Sequence, residues 1–247
     1  MKILVTGAGG FLGRALCAEL RNANLDLRSM DFVPFEGEPG EEVFIGDVSD
    51  PDAISKAMEG VDGLVIAHMA PRKTKPYNTT AAFDINVKGT GLLFEAAVKY
   101  GVKRIVLIST AFSVKAPESI TTWREFIPPT TEAYTLTKSL QEFISRQYSA
   151  CHELSISILR PGYVLCADKM EDKYGRPIGE RVPVFSERRD IGVVAALCLK
   201  ADDIVYEIFT VMSTPESMIP WDNQYTCNRL NWTPRFDFNH LPAQPKQ

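Results

Sequence analysis

Three things are scarce in this chain of 247 residues. No apolar run approaches the roughly 20 residues that a membrane span requires. The five cysteines, Cys17, Cys151, Cys166, Cys198 and Cys227, show no CxxC spacing and no nearby histidines, so neither a zinc site nor a disulfide framework is indicated. Charge of either sign is modest. Lys and Arg total 27 against 31 Asp and Glu, a formal net charge of −4, which gives no reason to propose nucleic acid or an anionic membrane as a partner. Internal repeats and low-complexity tracts are absent as well. The chain opens directly on an apolar strand with no room for a signal peptide, so a cytoplasmic protein with reduced thiols is expected. What remains is an ordinary globular composition, 45% hydrophobic and 23% charged, enough for one sizeable core.

The opening stretch KILVTGAGGFLG, Lys2 to Gly13, organises the rest. Ile3-Leu4-Val5 reads as a strand and Leu12, Leu16 and Leu20 as one face of a helix, with glycines 7, 10 and 13 between. Gly7 allows the sharp turn, Gly10 the approach of backbone N–H groups to a pyrophosphate, and Gly13 close packing of helix on strand. The helix N-terminus then directs its unpaired N–H groups at the phosphates. Asp31 ends a second apolar strand, Leu25 to Met30, where a carboxylate would bond a ribose 2′-OH.

Further apolar runs fall at Val43–Ile45, Gly63–His68, Arg104–Ser109, Leu154–Leu159 and Tyr206–Met212. Helical patterns alternate with them. One follows Ser49 or Asp50 with Pro51 in its first turn, and one carries a stripe of Phe83, Val87, Phe94 and Val98 whose Gly89 and Gly91 permit a close neighbour. Another runs from Tyr134 to Tyr148 with Leu140 and Ile144 inward, and the last is capped by Asp190 and runs through Leu199. Strands alternating with helices imply an α/β fold, a Rossmann-type doubly wound parallel sheet of about seven strands forming one domain over 1–247. Phe32 to Glu42 reads as an exposed loop. Ala111 to Ala133 is a long excursion of the kind that carries function or disorder. Segments 162–189 and 213–247 read as a small C-terminal substrate cap, the tail being irregular with Trp221 and Trp232 as anchors.

Tyr134 and Lys138 lie four apart at the start of a helix, so both side chains share one face. A phenol is a poor base at neutral pH, with a reference pKa of about 10. An ammonium one turn away favours phenolate, which could take a proton from a substrate hydroxyl as hydride leaves the same carbon. Thr110, at a strand's carboxyl end, supplies a hydroxyl to hold the reacting oxygen. Taken alone, Tyr-x-x-x-Lys reads as a surface tyrosine beside a lysine; the order of all the motifs gives it meaning. Asp47 reads equally as an adenine contact or a solvated loop carboxylate. His68 reads as a packed strand-end residue rather than a catalyst. Arg72, Lys73 and Lys75 read as a solvated basic loop or as a grip on an anionic substrate.

With these motifs in order, the chain resembles an extended short-chain dehydrogenase/reductase of the NAD-dependent epimerase/dehydratase group. The matching stretches are TGAGGFLG from Thr6, Asp31, GDVSD from Gly46, IAHMA from Ile66, NVKGT from Asn86, LIST from Leu107, YTLTK from Tyr134 and LRPGYV from Leu159. The resemblance implies Thr110, Tyr134 and Lys138 as the catalytic set. It also implies a cofactor site of Gly7, Gly10, Phe11, Leu12, Asp31, Asp47, Val48, Ala67, Met69, Ala70, Asn86, Ser109, Pro161, Gly162 and Tyr163, shared with Tyr134 and Lys138. Arg72, Ala111, Phe112 and Arg181 are expected toward substrate, with Arg188 a further candidate carboxylate clamp. No metal is expected. The free carboxylate of Asp31 argues for NAD over NADP. Ala111-Phe112 stands where sugar dehydratases place Asp-Glu, so dehydration is not expected. The short C-terminal part suggests a small substrate, and Trp221-Asp222-Asn223 resembles a motif of uronate dehydrogenases, whose Ser-Asn-His is missing here. The resemblance thus implies an NAD-dependent oxidoreductase acting on a small sugar or sugar acid, and a homodimer through the helices near Thr80–Tyr100 and Tyr134–Ala150. An epimerase is the alternative, and a non-catalytic NAD(P)-binding redox sensor the third reading.

Overall fold

A computed structural model describes residues 1–71, 78–111 and 130–243. In chain order the elements are β1 (Lys2–Thr6), α1 (Phe11–Asn22), β2 (Asp26–Asp31), β3 (Glu42–Ile45), α2 (Pro51–Met58) and β4 (Gly63–Ile66). Then come α3 (Thr79–Ala82), a π-helical turn (Phe83–Lys88), α4 (Gly89–Tyr100), β5 (Arg104–Ile108), α5 (Ala133–His152) and β6 (Ser155–Pro161). The chain continues through β7 (Tyr163–Cys166), β8 (Glu171–Asp172), β9 (Phe185–Glu187), α6 (Arg188–Lys200), β10 (Tyr206–Val211) and α7 (Asn223–Leu230).

Seven strands form one sheet in the order β10-β6-β5-β4-β1-β2-β3, and every pair in it is parallel. The seven apolar runs of the sequence all became strands of this sheet, in the Rossmann-type arrangement expected. The chain leaves β1 toward β2 and β3, then returns to β4 on the other side of β1. That reversal opens a crevice at the carboxyl ends of β1 and β4, the general ligand position in open α/β sheets.

Helices cover both faces. On one, Leu16 and Leu20 of α1 and Ile191, Val194 and Leu199 of α6 pack on Ile3, Val5 and Val106. On the other, Ile54 and Met58 of α2 and Leu93, Phe94 and Ala97 of α4 pack on Leu4, Leu64 and Ile105. Phe94 is fully buried and stacks on Tyr148 with ring centroids 5.1 Å apart. Burial of one such side chain is worth about 1.5–3 kcal/mol.

Several sequence expectations were displaced. The stripe Phe83, Val87, Phe94, Val98 is not one face, because the π turn inserts an extra residue and shifts the helical phase. Phe83 and Val98 are exposed while Phe94 is buried, and Asn86 turns inward instead. A Cβ on Gly89 would meet Val48 at 2.9 Å, whereas nothing lies near Gly91. The inward stripe of α5 is polar (Thr137, Lys138, Gln141, Glu142, Ser145, Ser149), and Leu140 and Ile144 are only half-buried. Asp50, not Ser49, caps α2 by accepting from Asp52 N at 3.0 Å. Glu187 rather than Asp190 caps α6, accepting from Arg189 N at 2.5 Å. β6 runs two residues past the apolar stretch, through Arg160 and Pro161, since Pro161 is its last residue and needs no ladder N–H there. The loop after β2 is pinned to α1: the Glu41 carboxylate, with no exposed side-chain surface, accepts from Ser29 Oγ and pairs with Arg14 and with Arg21 at 2.9 Å. The tail contains α7. Most of the excursion, residues 112–129, lies outside the described residues.

Beyond the main sheet, β8, β7 and β9 form a second, three-stranded sheet. Leu165, Phe185 and Phe238 make a small core beneath it, so residues from both 163–187 and the tail pack together beside the crevice.

Candidate functional site

The crevice is a cleft of about 1160 Å³ running along the carboxyl edge of the sheet, from Asp31 and Val33 at one end to Tyr134, Lys138 and Tyr163 at the other. The glycine turn forms its floor. Gly7 sits at φ +72°, and a Cβ at Gly13 would lie 2.0 Å from the Gly7 carbonyl oxygen. Only a bare backbone lets α1 start so close to β1. The first intrahelical bond of α1 is Arg14 N to Gly10 O at 3.0 Å, and Gly10 offers no side-chain cap. The N–H groups of Phe11, Leu12 and Gly13 therefore begin the helix without intrahelical acceptors, at its positive dipole end and on the cleft wall.

Carboxylates line the β2–β3 end. Asp31 accepts from Gly9 N at 3.0 Å and from Val33 N at 3.2 Å, which fixes its side chain beside the glycine turn. Asp47 accepts from Ser49 N at 2.8 Å and faces the same space with Val48. A helix N-terminus and two carboxylates thus line one stretch of the cleft wall, beside glycines that leave the backbone bare, a set of groups that suits a dinucleotide.

The β4 end forms the middle of the wall, with Ala67, His68 and Met69 lining the cleft. Ala70 and Asn86 do not line it; they lie behind, with Ala70 N donating to Asn86 Oδ1 at 2.8 Å and Asn86 Nδ2 to Thr137 Oγ1 at 2.9 Å. His68 Nε2 meets the Ile85 carbonyl at 3.1 Å, and a carbonyl only accepts, so the proton sits on Nε2. Its Nδ1 then accepts from Thr6 Oγ1 at 2.9 Å. Burial, reinforced by the nearby Lys138 charge, pushes this imidazole down to about 3. His68 is a neutral, packed tether between β1 and the π turn, as its sequence context suggested.

Ser109, Thr110, Tyr134 and Lys138 meet at the opposite end. Glu132 caps α5 through Thr135 N at 2.7 Å and so sets where Tyr134 begins the helix. One turn on, the Lys138 Nζ donates to the Ile108 carbonyl at 2.8 Å. Burial lowers the Lys138 ammonium to about 7; Glu142 opposes the shift and Lys173 adds to it. Beneath these groups lies an interaction the sequence reading missed. The Glu142 carboxylate accepts from Ser109 Oγ and from Arg160 Nε at 2.9 Å and Nη2 at 2.6 Å, with both side chains buried. One carboxylate thereby joins the three elements, β5, α5 and β6, that carry this end of the cleft. A Lys-x-x-x-Glu spacing on α5 was the available signal.

Pro161, Gly162 and Tyr163 line the cleft from β6 and β7, with Gly162 N donating to Ser186 Oγ at 2.8 Å. Asp172, Lys173, Tyr174 and Arg176, which the sequence left inside a weakly periodic segment, also line it. Ala111 is buried and Arg181 lies elsewhere. The Arg181 guanidinium pairs with Glu216 at 2.6 Å and with Asn239, and neither residue is among the cleft side chains. Arg188 stacks 5.0 Å from the Phe11 ring and donates to the Phe11 carbonyl at 3.3 Å, outside the cleft. Arg72 and Phe112 fall outside the described residues. Among the described residues, no cluster of three or more His, Cys, Asp or Glu is placed to hold a metal ion, and no helix is long and apolar enough to cross a membrane.

A dinucleotide cradle and a Tyr–Lys pair at two ends of one cleft narrow the family, and the model of the NAD dependent epimerase/dehydratase family matches residues 3–195. The chain belongs to that family, whose cofactor is NAD. It is 29% identical over 228 residues to an NAD-dependent glucose-6-phosphate dehydrogenase of Haloferax volcanii, covering 83% of this chain and 84% of that one. It is also 29% identical over 175 residues to a UDP-glucose 4-epimerase of Bacillus subtilis, covering 65% and 52%. A uronate dehydrogenase mutant from Agrobacterium tumefaciens, solved in complex with NAD, superimposes with a TM-score of 0.76 at 21% identity, over 100% of this chain and 91% of that one. The enzyme is thus an NAD-dependent dehydrogenase or epimerase of this family.

Proposed function

We propose that this enzyme is a dehydrogenase that transfers hydride between NAD and a small sugar or sugar acid, with Tyr134 as acid/base. The observation that carries this reading is the buried Lys138, held against β5 one helical turn from Tyr134, with both residues and Thr110 on the wall of the cleft that begins at the glycine turn. NAD supplies the hydride acceptor. Thr110 holds the substrate hydroxyl, Tyr134 takes its proton as the carbon gives up hydride, and the Lys138 ammonium stabilises the phenolate. Asp31 favours NAD over NADP because its carboxylate repels a 2′-phosphate. The sugar dehydrogenases among the relatives support a sugar substrate. The three-stranded sheet and tail, read as a cap, close a cleft suited to a small substrate.

Tyr134→Phe is expected to lower kcat by about 10²–10⁴-fold, the usual contribution of a positioned acid/base. NAD affinity, followed by fluorescence titration, should stay nearly unchanged. Undiminished turnover in this variant removes the mechanism. The epimerase relative favours a second reading, in which the substrate is oxidised and re-reduced without release of NADH. Net NADH appearance at 340 nm with a free sugar supports the dehydrogenase; isomerised product without NADH supports the epimerase.

The assembly proposed is a homodimer through the α3–α4 and α5 side, where Phe83, Val98 and Phe143 are exposed, Phe143 at 55%. Light scattering on the intact chain should report twice the monomer mass, and Phe143→Glu should return it to the monomer. All five cysteines are unpaired thiols, which supports a cytoplasmic setting.

A further inference from the structure

The reaction end of the cleft is lined by a turn with its own internal architecture. Asp172, buried at the end of β8, accepts from Tyr163 OH at 2.6 Å, Tyr174 N at 2.8 Å and Arg176 N at 3.0 Å. Arg176 also reaches it through Nε at 2.6 Å and Nη2 at 2.5 Å. Burial opposes ionisation of this carboxyl, but the bonds from Tyr163 and Arg176 outweigh it and hold the group well below the usual carboxylate range. Asp172 is therefore a fixed anion bonded to the turn's own N–H groups and guanidinium and to Tyr163 of β7. Its work is to shape residues 172–176.

That shape presents cations to the cleft. Lys173 and Arg176 both line it, and both contact the Tyr174 ring, at 5.2 Å and 4.9 Å from its centroid. Lys138 faces the same space from α5, near enough to Lys173 that the two ammonium groups repel. The other carboxylates on the cleft wall, Asp31 and Asp47, belong to the β2–β3 end. The cleft is thus polarised along its length: acidic where the adenosine would lie, cationic where the substrate would. Apposed ammonium groups across a partly desolvated space are unfavourable by themselves and become favourable around an anion.

We propose that the substrate carries an anionic substituent, a carboxylate or a phosphate, which binds at the Lys173–Tyr174–Arg176 turn opposite Lys138. Lys173 provides the direct cation, the Arg176 guanidinium lies beside it, and Tyr174 orders both. The binding has a consequence for the chemistry, because an anion beside Lys173 offsets its repulsion of Lys138 and favours the protonated lysine that a tyrosine base requires. Neutral sugars lack that effect. This inference rests on the dehydrogenase reading for its catalytic consequence, but the anion site itself is readable without turnover.

The test uses the intact chain with saturating NAD and three substrate arms at equal pH and ionic strength: neutral aldoses, the matching uronic acids, and the matching aldose 6-phosphates. NADH is followed at 340 nm, and thermal shift is recorded in parallel. One anionic arm should exceed the neutral arm by at least 100-fold in kcat/KM, and which arm it is separates carboxylate from phosphate. In Lys173→Met that advantage should fall at least tenfold, chiefly through KM, while Lys173→Arg keeps most of it. If no arm yields NADH but one anionic arm raises the melting temperature of the NAD-loaded protein, and Lys173→Met abolishes the rise, the dehydrogenase reading fails and the anion site stands. A neutral arm equal to the anionic ones in both readouts, or an anionic preference untouched by Lys173→Met, overturns the proposal.

Discussion

Lys138 holds an ammonium where water does not reach, and its cost to the fold is a function of pH. Burial pushes its pKa in the folded chain down from the ordinary 10.5 to about 7. Between these two values the unfolded chain keeps the proton and the folded chain gives it up. Stability therefore rises with pH across that window and is poorest below it. Lys138→Met removes the penalty. The ligand-free variant should melt several degrees higher than the parent at pH 6–7, with the difference shrinking toward pH 10, at roughly 2–4 °C per kcal/mol for a domain of this size. Calorimetry at the two pH values checks this, and an equal shift at both would deny that the lysine titrates as described. Turnover should be lost at every pH, the common exchange of activity for stability at a strained site. The residues most legible in the sequence were those whose backbone setting is dictated by type, such as Gly7 and Gly13 at the cradle. His68 was legible as a packed residue because it closes an apolar strand.

At the level of elements, legibility followed the source of the signal. Each strand of the main sheet was a short apolar run between breakers; burial on both faces made central strands such as β4 stand out, whereas the edge strand β3 is largely exposed and showed only as Val43-Phe44-Ile45. Two helices misled for physical reasons. The π turn at Phe83–Lys88 breaks the 3.6-residue period on which the apolar stripe was read, and in exchange it frees the Ile85 carbonyl for His68 and turns Asn86 toward Ala70 and Thr137. Helix α5 hides its inward face because that face is polar, and two of its groups find partners far away in sequence, Thr90 for Gln141 Nε2 and Arg160 for Glu142. The Glu142–Arg160 pair invites a direct experiment. Glu142→Gln leaves a buried guanidinium without its counter-charge and should destabilise by about 3–5 kcal/mol. Replacing both partners by apolar residues, Glu142→Leu with Arg160→Met, should restore most of that stability, because a buried ion pair barely outweighs its desolvation. Activity should stay low in the double variant, since Ser109 and the Lys138 helix lose their shared anchor. A double variant that melts as low as the single one would mean that the pair is not an isolated energetic unit. One that regains full turnover would mean that the pair does not position the site.

Across the whole molecule, the seven-stranded sheet supplies a rigid edge, and the three-stranded sheet proposed as a cap joins it at β6–β7 and at β9–α6, with the tail as a third link. After α7 the chain crosses α1 and α6 before its phenylalanines enter the cap core. Arg235 holds that crossing: its guanidinium pairs with Glu19 at 2.9 Å, and its backbone N–H donates to Asp190 Oδ1 at 3.1 Å. Asp190 also accepts from Ser213 Oγ at 2.7 Å. Phe236 and Phe238 follow at once, Phe238 lying edge-on to Phe185 at 5.4 Å. The sequence showed the tail's aromatic anchors but not this latch, because a buried carboxylate one turn into a helix and an arginine 45 residues later carry no local pattern. Arg235→Ala keeps the backbone bond and deletes the fork, leaving Glu19 without its partner at a cost of about 1–3 kcal/mol. The loss should be local. The cap core loosens while the glycine turn, whose contacts run through β1 and β2, keeps its shape. Limited proteolysis should therefore cut Arg235→Ala within the tail, and KM for the proposed sugar substrate should rise severalfold while NAD affinity stays within twofold. Because a planar fork matches a carboxylate where an ammonium does not, Arg235→Lys should recover only part of the loss. Equal weakening of NAD and sugar binding would instead show that tail, cap and cradle unfold as one unit.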